Sequence, residues 1–384
     1  MGILIWELMN IMTMNKPLNP LKGTLPQHNV QTRHAYSPFR GLGGKKLLVL
    51  TTFILLCFPI FGQADFRVMF YNTENFFDTI DNPRKNDNEF LPEGAMHWTA
   101  GRYQNKVINI AKVITSAGEW ETPALVGLCE VENDKVIKDL TQYSPLRKMD
   151  YRYIITNSPD PRGINVALLF QRDKFRCIND EQYKIHFPYN SRKHTRSILH
   201  VTGKVSAVDT LDVFVCHFPS RRGGEDESEM DRMYVSSILK TKVDSVTQIR
   251  KNANILIMGD FNDEPSNLSI SQVLDAQPLS KDIDRESLYN LFTRFEKRKN
   301  TGSYKYRRQW NMLDQIIVSG NLISGNQSIQ VLPYTAKIFY RDFMLTDDET
   351  YGGMRPKKTY HGRKHEGGYS DHFPVLVDFT VTNP

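Results

Sequence analysis

The residues best suited to chemistry stand where apolar runs give way to loops. The stretch "ILIMGDFNDEP" (255–265) is the clearest case. Four apolar residues, Ile255 to Met258, end on Gly259, and Asp260, Phe261 and Asn262 follow before Pro265. In an extended chain alternate side chains share a face. Asp260 and Asn262 are therefore expected to point together, with Phe261 turned into packing. Taken alone, the pair also reads as a polar turn, since Asp and Asn are common turn formers. The pattern then repeats. Asn72 closes "FRVMFYN", Glu130 lies at the end of "ALVGLCEV", and His217 at the end of "LDVFVCHF". Asp314 opens "LDQIIVS", and Ser370, Asp371 and His372 lead into "FPVLVDF". Polar groups at so many strand ends point to a site carried by a rigid scaffold.

The inventory is carboxylates, carboxamides and two histidines. No serine, threonine or cysteine stands beside a base at a diagnostic spacing, and the chain has no G-x-x-x-x-G-K-[ST] or G-x-G-x-x-G phosphate loop. Oxygen ligands favour hard cations, Mg²⁺ first and Mn²⁺ second. Such a cation beside an acid–base pair suits hydrolysis of a phosphate ester. The metal stabilises charge on phosphoryl or leaving oxygens, a histidine or aspartate activates water, and amides hold non-bridging oxygens without adding charge.

These residues need strands to position them. Apolar runs predict strands at 66–72, 124–131, 165–170, 211–218, 255–262, 313–319 and 373–379. Between them, "YQNKVINIAKVITSAG" carries apolar residues at helical spacing and ends on Gly118, a natural C-cap. "DESEMDRMYVSSILKTKVDSVTQIRK" reads as a longer amphipathic helix with an acidic first turn. Strands and helices mixed along the whole chain indicate an α/β protein.

The start of the 384-residue chain reads as a leader. Lys45 and Lys46 precede an apolar run, 47–61, and small residues follow, which is the layout of a signal peptide with cleavage expected after Ala64. The run is shorter than the roughly 20 residues of a spanning helix. Cleavage, with a secreted or periplasmic product, is therefore expected over an uncleaved N-terminal anchor. Residues 65–384 are expected to form a single catalytic domain, a monomer with no protein partner and no membrane span. The leader holds six basic residues against Glu7, a net of +5, so of the chain's formal +6 only about +1 remains beyond it. A global basic field for nucleic acid is not supported. Three cysteines follow the leader, Cys129, Cys177 and Cys216. An odd number argues against a disulfide framework, and their spacing fits no zinc site.

Together, "FYNTEN", "GLCEVEN", "VCHFPSRRGG", "IMGDFNDEP", "MLDQIIVS" and "YSDHFPV" occur in the order seen in the endonuclease/exonuclease/phosphatase superfamily, which the chain resembles from about residue 66 to 379. That superfamily includes pancreatic-type deoxyribonuclease, exonuclease III-type repair enzymes, neutral sphingomyelinases and inositol polyphosphate 5-phosphatases. The resemblance implies a four-layer α-β-β-α sandwich, two mixed sheets packed face to face with helices outside. It also implies roles. Glu130 is the main metal ligand, Asn72 supports the metal or its water, and Asp371 touches a metal. Asp260 orients or deprotonates the attacking water, and Asn262 holds the phosphate. His372 acts on the phosphate or as base, oriented by Asp314. His217 resembles the second histidine of the deoxyribonuclease-like branch, an acid for the leaving oxygen. The implied activity is metal-dependent phosphodiester hydrolysis, with nucleic acid as the first expected substrate. Lipid head groups and small phosphorylated metabolites are the alternative.

Weaker features surround these motifs. Arg162 in "PRGINV", and Arg221 with Arg222 in "SRRGGE", are expected to reach phosphate or to be solvated surface residues. Asn75 is either a supporting residue or an ordinary turn. Two basic stretches, 294–310 and 354–372, interleave Lys and Arg with tyrosines and Trp310. They read as solvated faces or as a track for a polyanion.

Overall fold

The computed structural model describes residues 66–119, 121–205, 209–324 and 328–382. The expected leader, with its apolar core 47–61, lies outside the described residues. In chain order the strands are β1 (Phe66–Phe76), β2 (Leu125–Val131), β3 (Tyr151–Ile155), β4 (Asn165–Gln171), β5 (Phe175–Tyr183), β6 (Ile198–Val205), β7 (Asp209–His217) and β8 (Asn254–Asp260). Then come β9 (Ala276–Pro278), β10 (Leu288–Asn290), β11 (Tyr304–Tyr306), β12 (Gln309–Asn311), β13 (Asp314–Ser319) and β14 (Ile329–Ile338). The last are β15 (Leu345–Asp347), β16 (Met354–Pro356), β17 (Tyr360–His361), β18 (Lys364–His365) and β19 (Val375–Val381).

Two mixed sheets dominate. One has the order β14-β19-β1-β2-β4-β3, the other β5-β6-β7-β8-β13-β10-β9. Their strands alternate between two buried environments, as continuous apolar runs require. Val68 and Phe70 of β1, and Leu256 and Met258 of β8, share the core between the sheets. Met69 and Tyr71 of β1 face outward, where they pack with the apolar stripe of helix Ala100–Gly118. Ile255 and Ile257 of β8 face the opposite way, towards Val235, Leu239 and Val243 of helix Glu225–Ile249. The layers are thus helix, sheet, sheet, helix, as expected. Gly127 lies at a close approach of the two sheets. A Cβ there would lie 2.7 Å from the Met258 sulfur, so only glycine fits without displacement.

Strand direction decides where the polar ends meet. β1 runs parallel to β2, which brings Asn72 level with Cys129, next to Glu130. β7 runs parallel to β8 with His217 opposite Asp260, and β13 runs antiparallel to β8 with Asp314 opposite Asp260. β19 is antiparallel to β1, so the segment that precedes it delivers Asp371 and His372 to the same end of the sandwich. No helix among the described residues is long and apolar enough to cross a membrane. Cys129, Cys177 and Cys216 are free.

Three local expectations are corrected. The strand of "ILIMGDFN" stops at Asp260, and Asn262 is in the left-handed region (φ 49°). The helix at 100–118 includes Gly118, and its left-handed cap is Glu119 (φ 58°). β1 continues past Asn72 to Phe76 with a break in register, across which Glu74 and Asn75 both take left-handed backbone (φ 50° each). β14 holds Pro333 and sits at a sheet edge, where a missing N–H is tolerated. Its proline hides it from a search for apolar runs.

Candidate active site

A cleft of about 700 Å³ opens at the convergent strand ends. Asn72, Glu130, His217, Asp260, Asn262, Asp371 and His372 all line it. The motifs scattered over three hundred residues therefore meet in one place.

Asp260 Oδ2 is the hub. Asn72 Nδ2 donates to it at 3.0 Å, and the Nε2 atoms of His217 and His372 lie 3.7 and 3.9 Å away. Asp260 Oδ1 accepts the Asn262 backbone N–H at 2.9 Å, which folds the turn back on the strand. Phe261 is fully buried and meets Phe218 edge to face, the packing role expected for it. The Asn262 side chain donates to the Phe218 carbonyl at 3.1 Å. Beyond the turn, the buried Arg232 pairs with Asp263 at 2.7 Å and ties the loop to helix Glu225–Ile249. Burial pushes the Asp260 carboxyl up to about 7, with Asp314 adding to the effect and His372 opposing it.

His372 is held from both sides. Its Nδ1 lies 2.6 Å from Asp314 Oδ2, and the Tyr304 ring covers it at 4.7 Å between centroids. Burial works against a charge on this imidazole, but Asp314 and Asp260 outweigh it and raise its pKa well above the ordinary value. His217 is the opposite case. Burial and the nearby cations Arg196 and Arg162 push its pKa well below the ordinary value. Its Nδ1 has no hydrogen-bond partner, whereas its Nε2 faces Asp260 and lies 3.9 Å from Glu130 Oε1. The two histidines thus favour different protonation states.

Glu130 owes its place to the irregular end of β1. The Asn75 backbone N–H donates to Glu130 Oε2 at 2.8 Å, and Glu130 itself is left-handed (φ 58°). Asn75 acts through its main chain. Two groups of ligand atoms lie within 4.8 Å of one another: Cys129, His217 and Asp260, and Asp260, Asp314 and His372. Burial holds the Cys129 thiol protonated, its pKa far above the ordinary range, and a thiol suits soft metals better than hard ones. The oxygen donors Glu130, Asn72, Asp260 and Asp371 line the same cleft and suit a hard divalent cation by type.

The arginines fare unevenly. Arg162 lies 3.7 Å from Asp160, its neighbour in the chain, and does not line the cleft. Arg221 lines it but is engaged with the Asn262 carbonyl, Asn267, Asp263 and Glu225. Arg222 is exposed on the rim. The basic stretches send no lysine or arginine to the cleft wall. Lys305 is paired with Asp348, Arg355 with Glu366, and Arg294 donates to the carbonyls of Tyr334 and Ala336. Those stretches instead contribute Tyr304, Tyr306 and Gln309, which with Asn311 form the small hairpin of β11 and β12 at the cleft. This hairpin, bridged to the site by Tyr304 opposite His372, was not foreseen. Its strands of three residues each are too short for their aromatic–polar alternation to stand out, and only the aromatic residues in a charged stretch hinted at it.

Residues 67–380 match the model of the Endonuclease/Exonuclease/phosphatase family. Among solved structures, the mannosyl-6-phosphatase of Bacteroides thetaiotaomicron VPI-5482 is similar with a TM-score of 0.52 at 16% identity, over 82% of this chain and 100% of that one. The endonuclease/exonuclease/phosphatase of Bacteroides vulgatus gives 0.51 at 14% over 83% and 100%. The D. rerio TDP2 complexed with single strand DNA product gives 0.50 at 13% over 82% and 99%. At such identities the likeness shows the fold. No curated protein matches the chain.

Proposed function

The chain belongs to the endonuclease/exonuclease/phosphatase family, and from that premise we propose a divalent-metal-dependent phosphoester hydrolase whose ester carries a compact, hydroxyl-rich alcohol. The observation that carries the substrate class is the cleft lining. Beyond the strand-end residues it carries the amides, hydroxyls and tyrosines of Ser220, Tyr304, Tyr306, Gln309 and Asn311, with Arg221 and Arg222 on one loop and Glu225 at the start of the helix that follows. A groove for a polynucleotide tracks the backbone with unpaired cations. Of the two arginines that line the cleft, Arg221 is engaged with Asn262, Asn267, Asp263 and Glu225, and Arg222 lies exposed at the rim.

Glu130, Asn72 and Asp371 would hold the cation, Mg²⁺ by the hardness of its donors, and its charge would stabilise that on the phosphoryl oxygens. The chain's own groups do the rest. Asp260, hydrogen-bonded to Asn72 and flanked by both histidines, accepts the proton of the attacking water at Oδ2. His372, held charged by Asp314, donates from Nε2 to a phosphoryl or leaving oxygen. His217, kept neutral by its surroundings, presents Nε2 to the Asp260 and Glu130 oxygens, and its one N–H is placed to donate there.

A nuclease is the second reading, favoured by one feature. Tyr306 is exposed at the hairpin tip, with the Arg307 guanidinium 5.3 Å from its ring centroid, a pair able to stack on a base. Turnover of hexose phosphates, bis-p-nitrophenyl phosphate, plasmid DNA and single-stranded RNA, with Mg²⁺ present, separates the two. The first reading expects the sugar phosphates to be the best substrates. Efficient cutting of nucleic acid that Tyr306→Ala weakens, with sugar phosphates untouched, establishes the second.

A further inference from the structure

Lys106 is buried in the apolar stripe of helix Ala100–Gly118, a place where a charge is costly unless paired. Its Nζ donates to Thr359 Oγ1 at 2.6 Å and to the Tyr369 carbonyl at 2.8 Å, and lies 3.7 Å from Glu74 Oε2. Glu74 is buried too, and its Oε2 accepts the Thr359 backbone N–H at 2.7 Å. One helical turn along, Asn109 donates to the carbonyls of Gly367 and Gly368. The segment gripped in this way is the one that ends in the site. Ser370 Oγ donates to the Asn72 carbonyl at 2.7 Å and accepts the His372 N–H at 3.0 Å.

Building on the metal-dependent reading above, we propose that the buried Glu74–Lys106 pair is a positioning device that locks the 359–372 segment onto the irregular end of β1 and so sets Asp371 and His372 against Asn72 and Glu130. Three arguments support it. Each partner touches a joint: Glu74 lies at the irregular end of β1, between Asn72 and the Asn75 amide that holds Glu130, and Lys106 reaches from its helix to Thr359 and Tyr369 of the gripped segment. A buried ion pair is a poor source of stability compared with apolar packing of the same shape, so stability does not account for one here. Finally, the Tyr369 carbonyl that Lys106 holds stands two residues before Asp371, a proposed cation ligand.

The test is calorimetric titration of the full-length protein with Mn²⁺ alone, together with kcat and KM for bis-p-nitrophenyl phosphate. Lys106→Met on its own strands a buried carboxylate and risks misfolding. The informative variants are Glu74→Gln/Lys106→Met, in which both members are neutral, and Thr359→Val, which keeps shape and removes one acceptor. The expected result is a folded double variant with near-native thermal stability, Mn²⁺ Kd raised roughly tenfold or more, and a comparable fall in kcat, as for groups that orient metal ligands. Thr359→Val moves the same two quantities in the same direction by less. Native Kd and kcat in a folded double variant overturn the proposal. If the double variant does not fold, native Kd and kcat in Thr359→Val overturn it. Wild-type protein that takes up no Mn²⁺ overturns the metal reading beneath it, an outcome distinct from the other two.

Discussion

Asp314 Oδ2 lies 2.6 Å from His372 Nδ1, while the other nitrogen of the same ring points at Asp260 from 3.9 Å. The aspartate fixes ring orientation and charge together. Asp314→Asn and His372→Ala are each expected to lower kcat by about 10²–10⁴. Residues that work as one unit lose their effect once, so the double variant should be little worse than either single one. Steady-state kinetics on the four proteins decides this, and multiplicative losses count against a shared role.

Asp260 gives the pH dependence. Burial raises its carboxyl to about 7, and it accepts a proton only when ionised. Activity is therefore expected to rise with pH through the region near 7 and to level off above. The limb belongs to the coupled Asp260–Asp314–His372 cluster and not to one group. A kcat/KM profile from about pH 5 to about pH 9 shows the limb in the wild type. A flat profile removes Asp260 as the base.

The strand ends that build this cluster were legible because each lies at the boundary of an apolar run, and because β7, β8 and β13 are central strands buried on both faces. Their residue types announced the site before their pairing was known. The turn after Asp260 was less legible. Extended geometry predicts that Asn262 points with Asp260, but the Asn262 N–H folds back onto the Asp260 carboxylate instead, and local hydrogen bonding overrides strand periodicity. The β11–β12 hairpin and the Glu74–Lys106 pair were not read at all. The hairpin's strands are three residues each, too short for a period of two to stand out. Lys106 did leave a trace, a lysine on the face that carries Tyr103, Val107 and Ile110, but its pairing with Glu74 is not local and its acceptor Thr359 lies 253 residues away. Arg162 could be placed before a strand from the sequence, but its approach to Asp160, two residues earlier, could not.

Glu130 is placed by a backbone amide and not by a side chain, so its carboxylate survives most changes around it. Glu130→Gln keeps the bond from Asn75 and removes the charge. The expected consequence is a metal titration of activity displaced on the order of tenfold or more to higher concentration, with thermal stability unchanged within about 0.5 kcal/mol. An unmoved titration curve removes Glu130 as a ligand.

Asp212 supplies a stability prediction far from the cleft. Buried on β7, its Oδ1 accepts from Thr202 and Arg250 and lies 2.8 Å from His200 Nε2. Burial raises its pKa, but those partners outweigh it and hold the carboxyl below the ordinary value. A depressed pKa contributes stability that is complete above the unfolded value of about 4 and fades as pH falls through the folded one. Asp212→Asn should therefore cost roughly 2–4 kcal/mol near neutrality and progressively less in acid below about pH 4. Urea unfolding of both proteins at a series of pH values reads the gap. A gap that stays constant into acid contradicts the assignment.

The central claim is that one oxygen-rich cleft hydrolyses a phosphate ester with the help of a divalent cation. Hydrolysis of bis-p-nitrophenyl phosphate and of hexose phosphates by the wild-type protein and by Glu130→Ala, each with Mg²⁺ and with EDTA, tests it most directly. The expected result is Mg²⁺-dependent turnover in the wild type, abolished by EDTA and by Glu130→Ala alike. Turnover that survives both contradicts it.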